Sequence, residues 1–191
     1  MIHRCESFAE QGCTGYATSR RKRLVMDVTS DDNVRLVVQS ILQEQGKIDI
    51  VVNNAGAIAI GPLLDLLKPT RFSILRVAKA VIPSMVEQKQ GLVINIGSCH
   101  SMEWIICAAK AGTFGVKVML VAPSCAANLE LSSTSIFKAY FDRVYERMHI
   151  SQEAKGACLQ TNVARSVVAK ALGPNPPSYM TLGAGSGILH S

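Results

Sequence analysis

Asp49-Ile50-Val51-Val52-Asn53-Asn54-Ala55-Gly56 is the stretch whose reading decides the fold. Ile48 to Val52 form a short apolar run closed by Asn, Ala and Gly. A run of that length ending in a turn signature predicts a central strand of a parallel sheet, buried on both faces. The small Ala55-Gly56 pair lets a flat ligand approach the backbone just beyond the strand. Open α/β sheets bind their ligands at that carboxyl end. A second unit of the same kind follows at Gly91-Leu92-Val93-Ile94-Asn95-Ile96-Gly97-Ser98, with a strand over Leu92 to Ile96.

Upstream of the central strand, Ser30 to Gln45 predicts an amphipathic helix, with Val34, Val37, Val38, Ile41 and Leu42 at helical spacing. Ser30, Asp31 and Asp32 suit its start, Asp27 is a further N-cap candidate, and Gly46 suits its end. Arg23 to Thr29 and Thr14 to Thr18 read as two more strands. The segment between them is too short for the crossover that parallel neighbours require. They are therefore expected to form an antiparallel hairpin, or else one of them is not a sheet strand. Residues 5–12 read as a helix end stopped by Gly12.

Downstream, Arg71 to Gln88 predicts a second helix, bent at Pro83. Phe114 to Val121 predicts the next strand, and Ser132–Ile150 and Asn162–Leu172 predict further helices. The alternation points to an α/β fold with a doubly wound, mostly parallel sheet, in one domain covering residues 1–191. A chain of 191 residues that is 48% hydrophobic can bury a sizeable core. No apolar run is long enough to cross a bilayer, and the amino terminus has no apolar signal core. A cytoplasmic protein is expected, with its six cysteines kept as thiols.

The net charge of +6 favours anionic ligands, but no aromatic-rich basic face supports nucleic-acid binding. Ser19-Arg20-Arg21-Lys22-Arg23 is the densest charge run. It is either a solvated loop or a phosphate site, since guanidinium offers a planar fork of donors. Cys99, His100 and Cys107 have irregular spacing, so no metal is expected. Gly183 to Gly187 mimics a phosphate loop without a helix after it and reads as a tail.

The Asn-Asn-Ala-Gly unit followed by a strand and Ser98 resembles the short-chain dehydrogenase/reductases. The resemblance implies a Rossmann-type fold that binds NADP. Arg20 and Arg21 would read the ribose 2′-phosphate, Asp27 and Val28 would lie by the adenine, and Asn53, Ala55, Gly56 and Pro123 would line the cofactor. Ser98 would orient a substrate carbonyl. The family's Tyr-x-x-x-Lys motif falls on Ile106-Cys107-Ala108-Ala109-Lys110, so Lys110 is kept as ribose clamp and the acid is replaced by Ile106. The relay Asn has no counterpart in residues 68–73. The family's first strand and its Thr-Gly-x-x-x-Gly-Ile-Gly loop would precede Thr14, and the sequence does not contain them.

Asn175-Pro176-Pro177-Ser178-Tyr179-Met180-Thr181-Leu182-Gly183 narrows the resemblance to the fungal NADPH-dependent 1-acyldihydroxyacetone-phosphate reductases. That implies an acyl-phosphate lipid or other small-molecule substrate, and relatives at the endoplasmic reticulum or lipid droplets. The departures imply weak or absent NADPH binding, a lost family-type dimer and turnover at or near zero. The alternatives are a non-catalytic binding protein and the defective product of a decayed or mis-spliced gene.

Overall fold

A computed structural model of the chain describes residues 2–19, 24–54, 73–97, 112–123 and 160–182. The elements are α1 (Ile2–Ala9), β1 (Thr18–Ser19), β2 (Leu24–Val25), α2 (Asp31–Gln45), β3 (Ile50–Asn53), α3 (Ser73–Glu87), β4 (Gly91–Ile96), β5 (Val116–Pro123), α4 (Gln160–Ala171) and β6 (Tyr179–Leu182). The expected helix over Ser132–Ile150 lies outside the described residues.

β3, β4, β5 and β6 form a four-stranded sheet in that order, and every pair in it is parallel. The register runs Val52 to Ile94 to Met119 across its first three strands. Side chains alternate between two helical layers, as a sheet buried on both faces requires. On one face Leu92, Ile94, Met119 and Val121 pack with Phe8 of α1 and Val163, Val167 and Ala171 of α4. On the other, Val93 and Val116 pack with Val34 and Val38 of α2 and Val77, Val81 and Met85 of α3. The expected α/β, doubly wound, Rossmann-type arrangement is the observed one.

The periodicity of α2 is matched by its caps. Ser30 is the N-cap, its side chain accepting from the Asn33 N–H at 3.3 Å. Gly46 closes the helix in the left-handed region at φ 75°, its N–H donating to the Leu42 carbonyl. Asp31 and Asp32 lie in the first turn, where the helix dipole favours negative charge. Asp31 also bridges to Arg76 of α3 at 2.9 Å. Asp27 is not the N-cap. Its carboxylate Oδ1 accepts from the Thr29 N–H at 2.9 Å and the Thr29 hydroxyl at 2.7 Å, a turn of the Asx type. The Asp27 N–H donates to Asn33 Oδ1.

Three further expectations change. β1 and β2 are parallel, with Thr18 opposite Leu24 and Ser19 opposite Val25. The long-crossover rule applies where the chain must return along a whole strand. Here the pairing is two residues long, roughly 7 Å, a distance that a four-residue link spans. β5 starts at Val116 because Gly112–Phe114 form a 3-10 turn and Gly115 takes φ 79°. β6 follows the Pro176-Pro177 pair, where no strand is expected from the sequence. Pro83 lies within α3 at an exposed position, and the helix continues to Glu87.

Candidate functional site at the carboxyl edge

β3, β4 and β5 finish near one another at Asn53, Ile96 and Pro123. Past the end of β4, the Gly97 N–H still donates to the Val121 carbonyl at 2.9 Å, which draws that chain end toward β5. Asn53 and Asn95 are register partners on adjacent strands. Both are buried, at 7% and 4% exposure, and the Asn53 Nδ2 donates to Asn95 Oδ1 at 2.8 Å. A buried amide without a partner is costly, so each makes the other tolerable. The pair fastens the end of β3 to β4, directly before Asn54.

Beside β3 lies a cavity of about 990 Å³. Phe8 and Cys13 line it from one helical layer, Val38 and Val81 from the other, and Ile50 and Val52 along the strand. Thr14 to Ser19, Met26 to Thr29, Lys47 and Asp49 also line it. Tyr16 and Cys5 also face it. The hydrogen bond to Glu44 pushes the Tyr16 phenol above its ordinary value, with burial and the Glu44 charge adding to the shift. The Gln45 amide, which donates to the phenol at 2.7 Å, opposes it. Burial pushes the Cys5 thiol up. Both groups are therefore protonated at neutral pH, and the charged side chains that line the cavity, among the described residues, are Asp27, Lys47 and Asp49.

Of the residues expected at a cofactor site, Asp27, Val28 and Asn53 stand on this one cavity. The Asp27 carboxylate is committed at Oδ1 to Thr29, and the Asn53 amide to Asn95. Pro123 ends β5. Arg20, Arg21, Ala55, Gly56, Ser98 and Lys110 lie outside the described residues, as does Ile106. Sequence reasoning missed Asn95. The signal was present: one amide inside an otherwise apolar strand, one position before its end, matching Asn53 in the preceding strand.

Asn95→Leu is expected to cost about 1–3 kcal/mol, because it strands the Asn53 amide. The double variant Asn53→Leu/Asn95→Leu should cost clearly less than the sum of the two single changes. Urea denaturation of the set measures the coupling, and strict additivity would show that the two amides are energetically independent.

Residues 9–122 match the family model described as short chain dehydrogenase. The chain is 36% identical over 110 residues to a 3-ketodihydrosphingosine reductase of Bacteroides thetaiotaomicron, covering 49% of this chain and 40% of the relative. It is 31% identical over 118 residues to the 3-oxoacyl-(acyl-carrier-protein) reductase FabG of Vibrio cholerae, covering 55% and 48% respectively. The matched regions thus span less than half the length of these relatives. Among solved structures, a short-chain dehydrogenase from Streptomyces avermitilis superposes with a TM-score of 0.78 at 21% identity. That match covers 98% of this chain and 85% of the other. A metagenomic short-chain oxidoreductase in complex with NADP superposes with a TM-score of 0.53 at 20% identity, covering 63% and 75%.

Proposed function

The chain belongs to the short chain dehydrogenase family, and from that premise we propose that it keeps a reductase scaffold for an acyl-bearing ketone but turns over at or near zero. The substrate class rests on agreement between independent likenesses. Both enzymes named above are, by their names, reductases of ketones that carry an acyl or long-chain base portion. The Asn-Pro-Pro-x-Tyr-Met-Thr-Leu-Gly segment at Asn175 to Gly183 points to a third member of that class, the acyldihydroxyacetone-phosphate reductases.

The loss of turnover rests on one observation. Four residues before Lys110, where the family carries its tyrosine acid, stands Ile106. Reducing a ketone requires a proton on the carbonyl oxygen as the carbon accepts hydride. General acid catalysis of that step is typically worth 10²–10⁴-fold, and an isoleucine supplies none of it. In this reading Ser98 orients the carbonyl and Lys110 contributes a positive charge, with no proton donor between them.

NADPH would supply the hydride. The described cavity wall fits it poorly. A pyrophosphate requires convergent N–H donors at a helix start or guanidinium groups. The described wall beside β3 instead offers mostly apolar side chains, a Lys47 ammonium already paired with Asp49 at 2.9 Å, and an Asp27 carboxylate whose Oδ1 is held by Thr29.

The expected result with purified chain, NADPH and 3-ketodihydrosphingosine or 1-acyldihydroxyacetone phosphate is no loss of 340-nm absorbance above the protein-free rate. Oxidation that scales with protein concentration overturns the loss of turnover. A thermal melt with NADPH and with NADH separates binding from chemistry, since a ligand of the native state raises its apparent stability. The cavity beside β3 favours a second reading, a binding protein without turnover. A cooperative transition unmoved by either nucleotide supports that reading.

A further inference from the structure

We draw no further inference here: the strongest candidate, the surface groove at the amino edge of the sheet where Val86, Lys89 and Thr113 meet the exposed Phe114, is an unpartnered apolar patch, and nothing in the structure shows what covers it.

Discussion

Gly115→Ala is expected to lower the unfolding free energy by roughly 2–4 kcal/mol, from two separable causes. Gly115 takes φ 79°, a conformation that side chains disfavour. A Cβ placed there would also press into the backbone carbonyl of Lys89, which is itself at φ 53°. Neither side can yield easily. Lys89 sits in the turn that ends α3, with its N–H bound to the Val86 carbonyl, and Gly115 leads directly into β5. Gly12→Ala is the control. Gly12 has a similar φ of 81°, but a Cβ there meets nothing within 4 Å. That change should cost only the conformational part, about 1–2 kcal/mol. Urea midpoints of the two variants separate strain from collision. Equal losses would mean that the Lys89 turn moves aside.

Ile94→Ala is expected to cost about 2–5 kcal/mol, and Ile94→Val about 0.5–1.5 kcal/mol. Ile94 is fully buried, between Val52 of β3 and Met119 of β5, under Phe8 and the valines of α4. Its loss opens a void in the strand that both neighbours lean on. Domains are stable by only about 5–15 kcal/mol, so the alanine variant stands near the limit of folding. Denaturation should show a lower midpoint with an unchanged dependence on urea, the signature of lost stability without a changed unfolded state. A cost under 1 kcal/mol would mean that the core around Ile94 is loosely packed.

The sequence was most legible where two independent signals coincided. The α2 helix could be read almost to the residue because its valine spacing and its Ser30 and Gly46 caps agree. β4 and β5 were legible because strands largely buried on both faces are near-continuous apolar runs, here interrupted only by Asn95 in β4 and Lys117 in β5. The β1–β2 pair was not, because two residues per strand leave no periodicity and are too few for the crossover rule to fix their direction. β6 was hidden by the prolines before it, which read as a break although they only precede its first paired residue. At the candidate site, Asp27 was read as a cap because aspartate suits one. The Ser30 hydroxyl held that place, and Asp27 shaped the approach to it. Asn53 reads as a ligand contact from the sequence, and the structure adds that its amide bonds across the sheet to Asn95. A sequence shows that a polar residue is present but not which partner lies opposite, since register is decided by the strands together.

The uniformly parallel sheet also sets a timetable for the chain as it is made. β5 meets β6 through Leu120 and Tyr179, about sixty residues further along. α4, which covers one face of the sheet, is likewise synthesised after β3, β4 and β5. Until α4 leaves the ribosome, those three strands can pair but are covered on that face, among the described residues, only by α1 through Phe8, with much of Ile94, Met119 and Val121 left open. Slow, long-range pairing of this kind leaves nascent chains prone to aggregate. Release from the ribosome with β6 still inside the exit tunnel should therefore yield a chaperone-dependent, insoluble species rather than a smaller native domain.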